Sequence, residues 1–279
     1  MNLQTLPRDD KVVKAAFEPK LDAFLSADYS NIELRLLAFY LEQVGHPSMA
    51  DVFRAGGDLH RETAAGIYRK PAASVTDAER QVGKRLNFSI VYGGGIPTLV
   101  KQLGIKPKDA LELLRAYHGQ WPGIGWSSKK RPPAEGTLID WIIKRLNERE
   151  RPNEPGYITT LYGRHLHPRS LHSALNALCQ GCAADLKKWA MIQCHEGLAH
   201  GCYPGNGVHG WERRRFKSHL VNEVHDELVF DCAEPEIPFV AKLVPEWMTD
   251  ERIDSVVPIR PECDISWTTL AEKTPYAKN

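Results

Sequence analysis

Four side chains spaced by four residues, Arg80, Lys84, Phe88 and Tyr92, stand in the stretch ERQVGKRLNFSIVYGGG. On an α-helix each step of four turns about 40° past a full revolution, so the four share one stripe about 120° wide, cations first and rings after. A guanidinium fork and an ammonium near a helix start suit phosphate oxygens, and the N-terminal dipole adds to the attraction. Rings one to two turns onward, about 6 to 12 Å away, suit a sugar and a flat base. The stripe has the layout of a nucleoside triphosphate: anionic tail, sugar, base. The same spacing also describes an amphipathic surface helix with its rings on the core and its cations in solvent, and the helix alone does not decide between the two.

Two carboxylates far apart in sequence bear on that choice. Asp28 ends an apolar extended run, LDAFLSAD, just before the helical period of Ile32, Leu36 and Leu37. Asp226 sits in His225-Asp226, the tight turn predicted between two strands of the alternating segment SHLVNEVHDELVFDC. Carboxylates on two strand ends can share a pair of Mg²⁺ ions, which take oxygen ligands in octahedral geometry. Two such ions about 3.5 to 4 Å apart can activate an attacking hydroxyl and stabilise a leaving pyrophosphate. Glu227 is then a further ligand or a water-mediated support. Taken singly, an aspartate at a turn is ordinary turn chemistry.

The elements that must hold these groups are legible in outline. Residues 21–40 read as a strand running into a helix, and 58–70 as a short helix closed by Pro71. Thr76-Asp-Ala-Glu79 has the form of a capping box opening the helix of the stripe. Residues 107–126 carry a helical pattern through Ala110, Leu113, Leu114 and Tyr117 that Pro122-Gly123 interrupts. Residues 127–157, proline-punctuated and charged, suggest a helix hung between exposed connections, peripheral rather than core. Residues 157–168 read as strand and turn, and 171–200 as a long helix with Leu175, Leu178, Leu186, Trp189 and Ile192 among its apolar positions. A Gly-rich loop, 202–216, ends in a basic run.

Composition sets the outer bounds. A chain of 279 residues with 42% hydrophobic and 25% charged content is that of a soluble globular protein able to bury a core. A net charge of +1 gives no overall field for a polyanion, so any grip on nucleic acid must come from local clusters. The N-terminus MNLQTLPRDDKVVK lacks the apolar segment of a signal peptide, and no run approaches the roughly 20 apolar residues of a membrane span. A cytoplasmic protein without a membrane partner is expected, its six cysteines reduced. Cys179-Gln-Gly-Cys182 has the spacing of half a zinc site, but in a helical pattern these are simple neighbours. Cys194, His195, His200, Cys202 and His209 read as belonging to a surface loop region.

ADYSNIELRLLAF, ERQVGKRLNFSIVYG and VHDELVF resemble, in this order, the three polymerase motifs of family A DNA polymerases, the DNA polymerase I-like group. NLQTLP, DLHRETA and TLYGRHLHP support the resemblance, and LCQGCAADLKKWAM is similar to the family's QGTAAD helix. The likeness spans nearly the whole chain. It implies an α+β fold: an antiparallel palm sheet with packed helices and a mostly helical fingers subdomain, with palm at 1–40 and 159–279 and fingers at 41–158. It implies metal binding for Asp28 and Asp226, triphosphate binding for Arg80 and Lys84, sugar and base contact for Phe88 and Tyr92, and a place near the triphosphate tail for His60. Glu33 matches the residue that crowds the 2′ position of an incoming nucleotide. Asn176, Gln180 and His225 match positions near the primer–template minor groove and primer end, where acceptors common to all correct pairs can be checked.

The resemblance further implies template-directed addition of dNTPs to a primer 3′ hydroxyl with two Mg²⁺ ions. Glu33 and the triad His225-Asp226-Glu227 favour DNA over RNA synthesis, and Phe88, where some relatives carry tyrosine, suggests discrimination against sugars lacking the 3′ hydroxyl. The likeness starts at NLQ, so the family's thumb and 3′–5′ exonuclease have no counterpart in it. A second polypeptide supplying thumb, exonuclease or both is therefore expected, as in a split or phage-type replicase of a bacterial or phage-infected cell. Ser89 stands where a glycine is common, Gly83 weakens the helix beside Lys84, and the loops at 127–156 and 201–216 are longer than in familiar relatives. The competing expectation, an inert DNA-binding or replisome-interaction module derived from such a polymerase, predicts damage to a metal ligand or triphosphate contact; Asp28, Asp226, Arg80 and Lys84 are all in place. The catalytic reading requires positions 28 and 226 side by side, facing the cationic flank of residues 80–92.

Overall fold

The computed structural model describes residues 11–125, 132–152, 154–201 and 216–276. In chain order the elements are α1 (Lys11–Ala15), β1 (Ala23–Tyr29), α2 (Ile32–Gln43), α3 (Ser48–Arg54), α4 (Leu59–Tyr68), α5 (Asp77–Val91), α6 (Ile96–Leu103) and α7 (Pro107–Gln120). Then come α8 (Leu138–Glu148), β2 (Ile158–Thr159), β3 (His165–Leu166), α9 (Leu171–His200), β4 (His219–Val224) and β5 (Glu227–Cys232). The chain continues through α10 (Ile237–Trp247), α11 (Glu251–Asp254), β6 (Pro261–Ser266) and β7 (Thr274–Pro275). The fold is the expected α+β class. It divides into two compact units: one of Met1–Ile32, Leu186–Glu251 and Ile259–Asn279, the other of Glu33–Asp185 and Arg252–Pro258, as far as these are described.

The first unit is built on an antiparallel sheet of order β4-β5-β1-β6-β7. β1 lies in the middle, paired with β5 from Ala23↔Cys232 to Asp28↔Glu227 and with β6 from Phe24↔Ser266 to Tyr29↔Pro261. A strand with neighbours on both edges satisfies its backbone within the sheet, so it can be apolar along nearly its whole length. Ala23, Phe24, Leu25, Ala27 and Tyr29 are all buried. α10 packs against β1 and β6, burying Ile237, Val240, Ala241 and Val244, the i, i+3, i+4, i+7 set of one helix face. Phe24, Val229 and Leu270 form a further cluster with Phe17 packed on it.

Two buried carboxylates tie loops to this sheet. Asp231 accepts from the backbone N–H groups of Lys20 and Leu21 at 3.0 and 3.1 Å. Glu236 accepts from Lys217 N–H, from Ser218 N–H at 2.9 Å and from the Ser218 hydroxyl at 2.7 Å, and so anchors the entry to β4.

The second unit is mostly helical. α5 opens with the predicted capping box: Glu79 N–H donates to the Thr76 hydroxyl at 3.3 Å and Thr76 N–H to the Glu79 carboxylate at 2.8 Å. α4 packs on α5 and α7. Leu86, Ile90 and Val91 of α5, Leu99 of α6, and Leu114 and Tyr117 of α7 are buried. Residues 157–168, expected as strand and turn, form a hairpin of two short strands, β2 and β3. The segment expected to be peripheral differs in one respect. α8, capped by Thr137, buries Leu138 and Ile142 completely; this i, i+4 apolar pair gives the helix one face for the core.

Cys179 and Cys182 are buried neighbours on α9, as expected. Cys194, His195 and His200 also lie on α9 rather than in a loop, with Cys194 buried, because the helix runs on to His200. Cys202 and His209, and with them the Gly-rich loop as far as residue 215, fall outside the described residues. Among the described residues no group of three or more His, Cys, Asp or Glu could hold a metal ion, and no helix is long and apolar enough to cross a membrane.

Replacing Glu236 with alanine leaves two backbone donors and a hydroxyl without their acceptor in a buried place. The expected result is a loss of about 2–4 kcal/mol of stability, read as a lower urea midpoint; an unchanged midpoint would refute the anchoring role.

Candidate functional site

β1 and β5 set the register of the carboxylate corner. Asp28 is opposite Glu227 across the pair, and Tyr29 N–H donates to the carbonyl of Asp226 at 3.2 Å, so residues 28 and 226 are neighbours despite nearly two hundred intervening residues. β4 and β5 pair up to Val224↔Glu227, leaving His225-Asp226 as the predicted two-residue turn. His225 takes a φ of +55°, in the left-handed region that hairpin turns demand of their first central residue. The Lys187 ammonium donates to the carbonyl of this strained residue at 2.8 Å and pairs with Glu223. Glu227 is paired with Lys273.

The donor set at this corner is all hard oxygen, and Asp28 and Asp226 are both half-buried on adjoining strand ends. This fits Mg²⁺, which binds through one or two carboxylates and leaves its other positions to water and substrate phosphates. Direct ligation by Glu227 would require it to leave Lys273, so water-mediated support is the role compatible with that ion pair.

The stripe of cations and rings lies in the helical unit. Arg80, Lys84 and Phe88 are on α5 and Tyr92 is its C-cap. Arg80 pairs at 2.5 Å with Asp58, the N-cap of α4, which also accepts from the N–H groups of His60 and Arg61. Burial alone would raise the pKa of Asp58, but the Arg80 hydrogen bond and the α4 backbone donors bring it below its ordinary value. Lys84 is exposed. The Phe88 ring stacks on Tyr92 with centroids 5.9 Å apart and stands 5.6 Å from His60. Tyr92 donates its hydroxyl proton to Glu33, in the first turn of α2, at 2.7 Å. His60, Asp58, Arg80, Phe88, Tyr92 and Glu33 thus form one connected run, and the ring of Tyr92, 47% exposed, does not lie in the core.

Gly83, a weakness when read as part of a helix, has a packing reason. A Cβ at this position would lie 2.2 Å from the carbonyl oxygen of His60 and 3.1 Å from Ala64 N, so α4 and α5 can cross this closely only over a glycine. Ser89 has a similar account. It is buried, and a Cβ at residue 94 would meet its hydroxyl at 2.4 Å; the space taken by the serine is space that Gly94 leaves.

Asn176 and Gln180 are one turn apart on α9, the first half-buried and the second exposed. Residues that sequence reasoning passed over include Asp58, Thr63, Asn87, Trp121, Lys187 and Lys273. Of these only Asp58 carries a local signal, an aspartate directly before a helical period.

The family profile described as DNA polymerase family A matches residues 1–269. DNA polymerase I of Lactococcus lactis subsp. lactis is 30% identical over 276 residues, 93% of this chain and 28% of that protein. DNA polymerase I of Geobacillus stearothermophilus gives the same figures, and that of Bacillus subtilis is 31% identical over 254 residues, 88% of this chain and 26% of its own length. The chain therefore spans little more than a quarter of these relatives. Among solved structures, the POL domain of Pol1 from M. smegmatis, in complex with DNA primer-template and dNTP, superposes with a TM-score of 0.74 at 24% identity over 97% of this chain and 45% of that one. This likeness bears on the fold.

The crossing at residue 83 gives a direct test. Alanine is the better helix former by roughly 1 kcal/mol, yet Gly83→Ala is expected to destabilise by about 1–3 kcal/mol, because the added methyl meets backbone rather than a flexible side chain. Chemical denaturation reads this, and a stabilised variant would mean that the two helices are not pressed together at this point.

Proposed function

The chain belongs to DNA polymerase family A, and on that premise we propose that it catalyses template-directed addition of deoxynucleotides to a primer 3′ hydroxyl. The observation that carries this reading is the pairing of β1 with β5, which makes neighbours of the two aspartate-bearing strand ends. Asp28 and Asp226 are the residues that would hold Mg²⁺. When bound, the ions supply a more acidic primer hydroxyl and a counter-charge to the leaving pyrophosphate.

The chain's own groups do the rest. Arg80 exchanges Asp58 for phosphate oxygens, to which its fork is equally suited. Lys84, exposed on α5, binds the charge that grows on the pyrophosphate as the bond breaks. Phe88 and Tyr92, already stacked on each other, present ring faces to sugar and base. Glu33, held by the Tyr92 hydroxyl, crowds the 2′ position, so a ribose hydroxyl meets a fixed carboxylate. Asn176, Gln180 and His225 meet the minor groove and primer end, where purine N3 and pyrimidine O2 are acceptors common to all correct pairs.

Primer extension with Mg²⁺ tests the proposal. Asp226→Asn is expected to lower kcat at least about a hundredfold; equal extension by variant and wild type would remove Asp226 from the chemistry, and no extension by either would favour an inert module. Lys84→Ala should raise KM for dNTP and lower kcat together, roughly 10- to 100-fold in kcat/KM, and unchanged kinetics would place the stripe away from the nucleotide. For Glu33→Ala the selection of deoxy- over ribonucleotides should narrow at least about tenfold, while equal strictness would exclude Glu33 as the gate.

A further inference from the structure

Behind the ring of His60 lies a chain of buried polar groups that the reaction described above does not use. Trp121 Nε1 donates to the Thr63 hydroxyl oxygen at 3.3 Å, Thr63 Oγ1 stands 3.0 Å from Asn87 Oδ1, and Asn87 Nδ2 stands 3.1 Å from His60 Nδ1. Thr63 Oγ1 is also 2.8 Å from the carbonyl of Leu59. Thr63 and Asn87 have no exposed surface, and His60 is 2% exposed. The links join α4, α5 and the residue that follows α7, so the ring is held from three segments of the helical unit.

The chemistry of these groups makes the arrangement directional. An indole N–H only donates, so the Thr63 oxygen accepts on that side; the Leu59 carbonyl is already served by the backbone N–H of Thr63 one turn on in α4, and the hydroxyl proton goes to Asn87 Oδ1. A carboxamide donates from one end only. With Nδ2 toward the ring, the facing imidazole nitrogen must offer a lone pair, which leaves the proton of the neutral ring on Nε2. Turning the amide round would put the proton on Nδ1 and a lone pair on Nε2, an acceptor that repels phosphate oxygens. The cationic form, in which both nitrogens donate, is unavailable near neutral pH. Burial pushes the pKa of His60 down to about 4; the Asp58 carboxylate opposes this and the Arg80 and Lys84 cations reinforce it. Which end of the ring can meet an anion is therefore decided by its tautomer.

We propose that Asn87, itself oriented by Thr63 and Trp121, is a positioning residue that keeps the His60 proton on Nε2, so that a neutral ring donates to the triphosphate. The role parallels the carboxylate or carbonyl that fixes the tautomer of a metal-bound histidine, with an amide as donor in place of an acceptor. It rests on the nucleotide reading of the α4–α5 face given above, and it adds a requirement on the far side of the ring.

Two measurements separate the relay from that reading. Long-range ¹H–¹⁵N spectra of the ¹⁵N-labelled full chain at neutral pH, with His60 assigned by its loss in His60→Gln, report the tautomer without any substrate. The expected wild-type pattern is Nε2–H. In Asn87→Asp a side chain that only accepts draws the proton to Nδ1, and in Thr63→Val the amide loses its orienting partner and both tautomers appear. An Nδ1–H pattern in the wild type, or an Nε2–H pattern that survives in both variants, would overturn the relay; the wild-type spectrum suffices should a variant fail to fold. In steady-state extension, Asn87→Asp and His60→Gln are each expected to lower kcat/KM for dNTP about tenfold with primer–template affinity unchanged. The expected tautomers combined with unaltered nucleotide kinetics would overturn the nucleotide reading and, with it, the purpose assigned to the relay.

Discussion

The pairing of β1 on both of its edges is the constraint from which the first unit follows. A central strand has no backbone group left for solvent, so its side chains can be buried on both faces: Ala23, Leu25 and Ala27 on one, Phe24 and Ser26 on the other. The same ladder has a definite end. Where β1 runs out at Tyr29 and the β4–β5 hairpin turns, the sheet presents a rim, and polar side chains are placed there: Asp28, His225, Asp226 and Glu227. A slip of one residue in the β1–β5 register would send every side chain of β1 to the opposite face and lose the core together with the carboxylate corner, so the hydrophobic pattern that stabilises the unit also fixes the geometry of its acids.

In the helical unit the corresponding constraint is the close crossing of α4 over α5. Gly83 removes the one Cβ that would hold the helices apart. With the gap closed, Asp58 reaches Arg80, His60 reaches Phe88, and Asn87 reaches both His60 and Thr63. A glycine inside a helix costs about 1 kcal/mol in propensity, and that cost is offset by a set of buried polar contacts that wider spacing would leave as unsatisfied donors and acceptors.

Several of the charges at both places are paired with one another. Arg80 holds Asp58, Lys273 holds Glu227, and Lys187 holds Glu223 together with the carbonyl of a residue in a left-handed conformation. Each pair holds a side chain in a defined place, and on the proposed reading Arg80 would exchange its carboxylate for a phosphate. Arginine suits that exchange, since its planar fork addresses carboxylate and phosphate oxygens alike. Lys84 stands exposed, a point charge on a flexible stem.

The local elements and the order of the site-bearing segments could be read from the amino-acid sequence alone. The capping box at Thr76 and Glu79, the four-residue spacing of the stripe and the hairpin at His225-Asp226 all express interactions over a few residues, and short-range periodicity encodes these directly; the α+β class comes from the resemblance of whole motifs. The partners that only tertiary structure supplied lie farther off: Asp58 is 22 residues from Arg80, His60 is 27 from Asn87, and Thr63 is 58 from Trp121. No periodicity links such positions, because a buried polar group can take any partner of the right chemistry that packing brings within about 3 Å. Gly83 marks the boundary between the two kinds of information. Its identity is plain in the sequence, where it looks like a flaw in a helix, and only the carbonyl of His60 lying against it turns the flaw into the point on which the crossing depends.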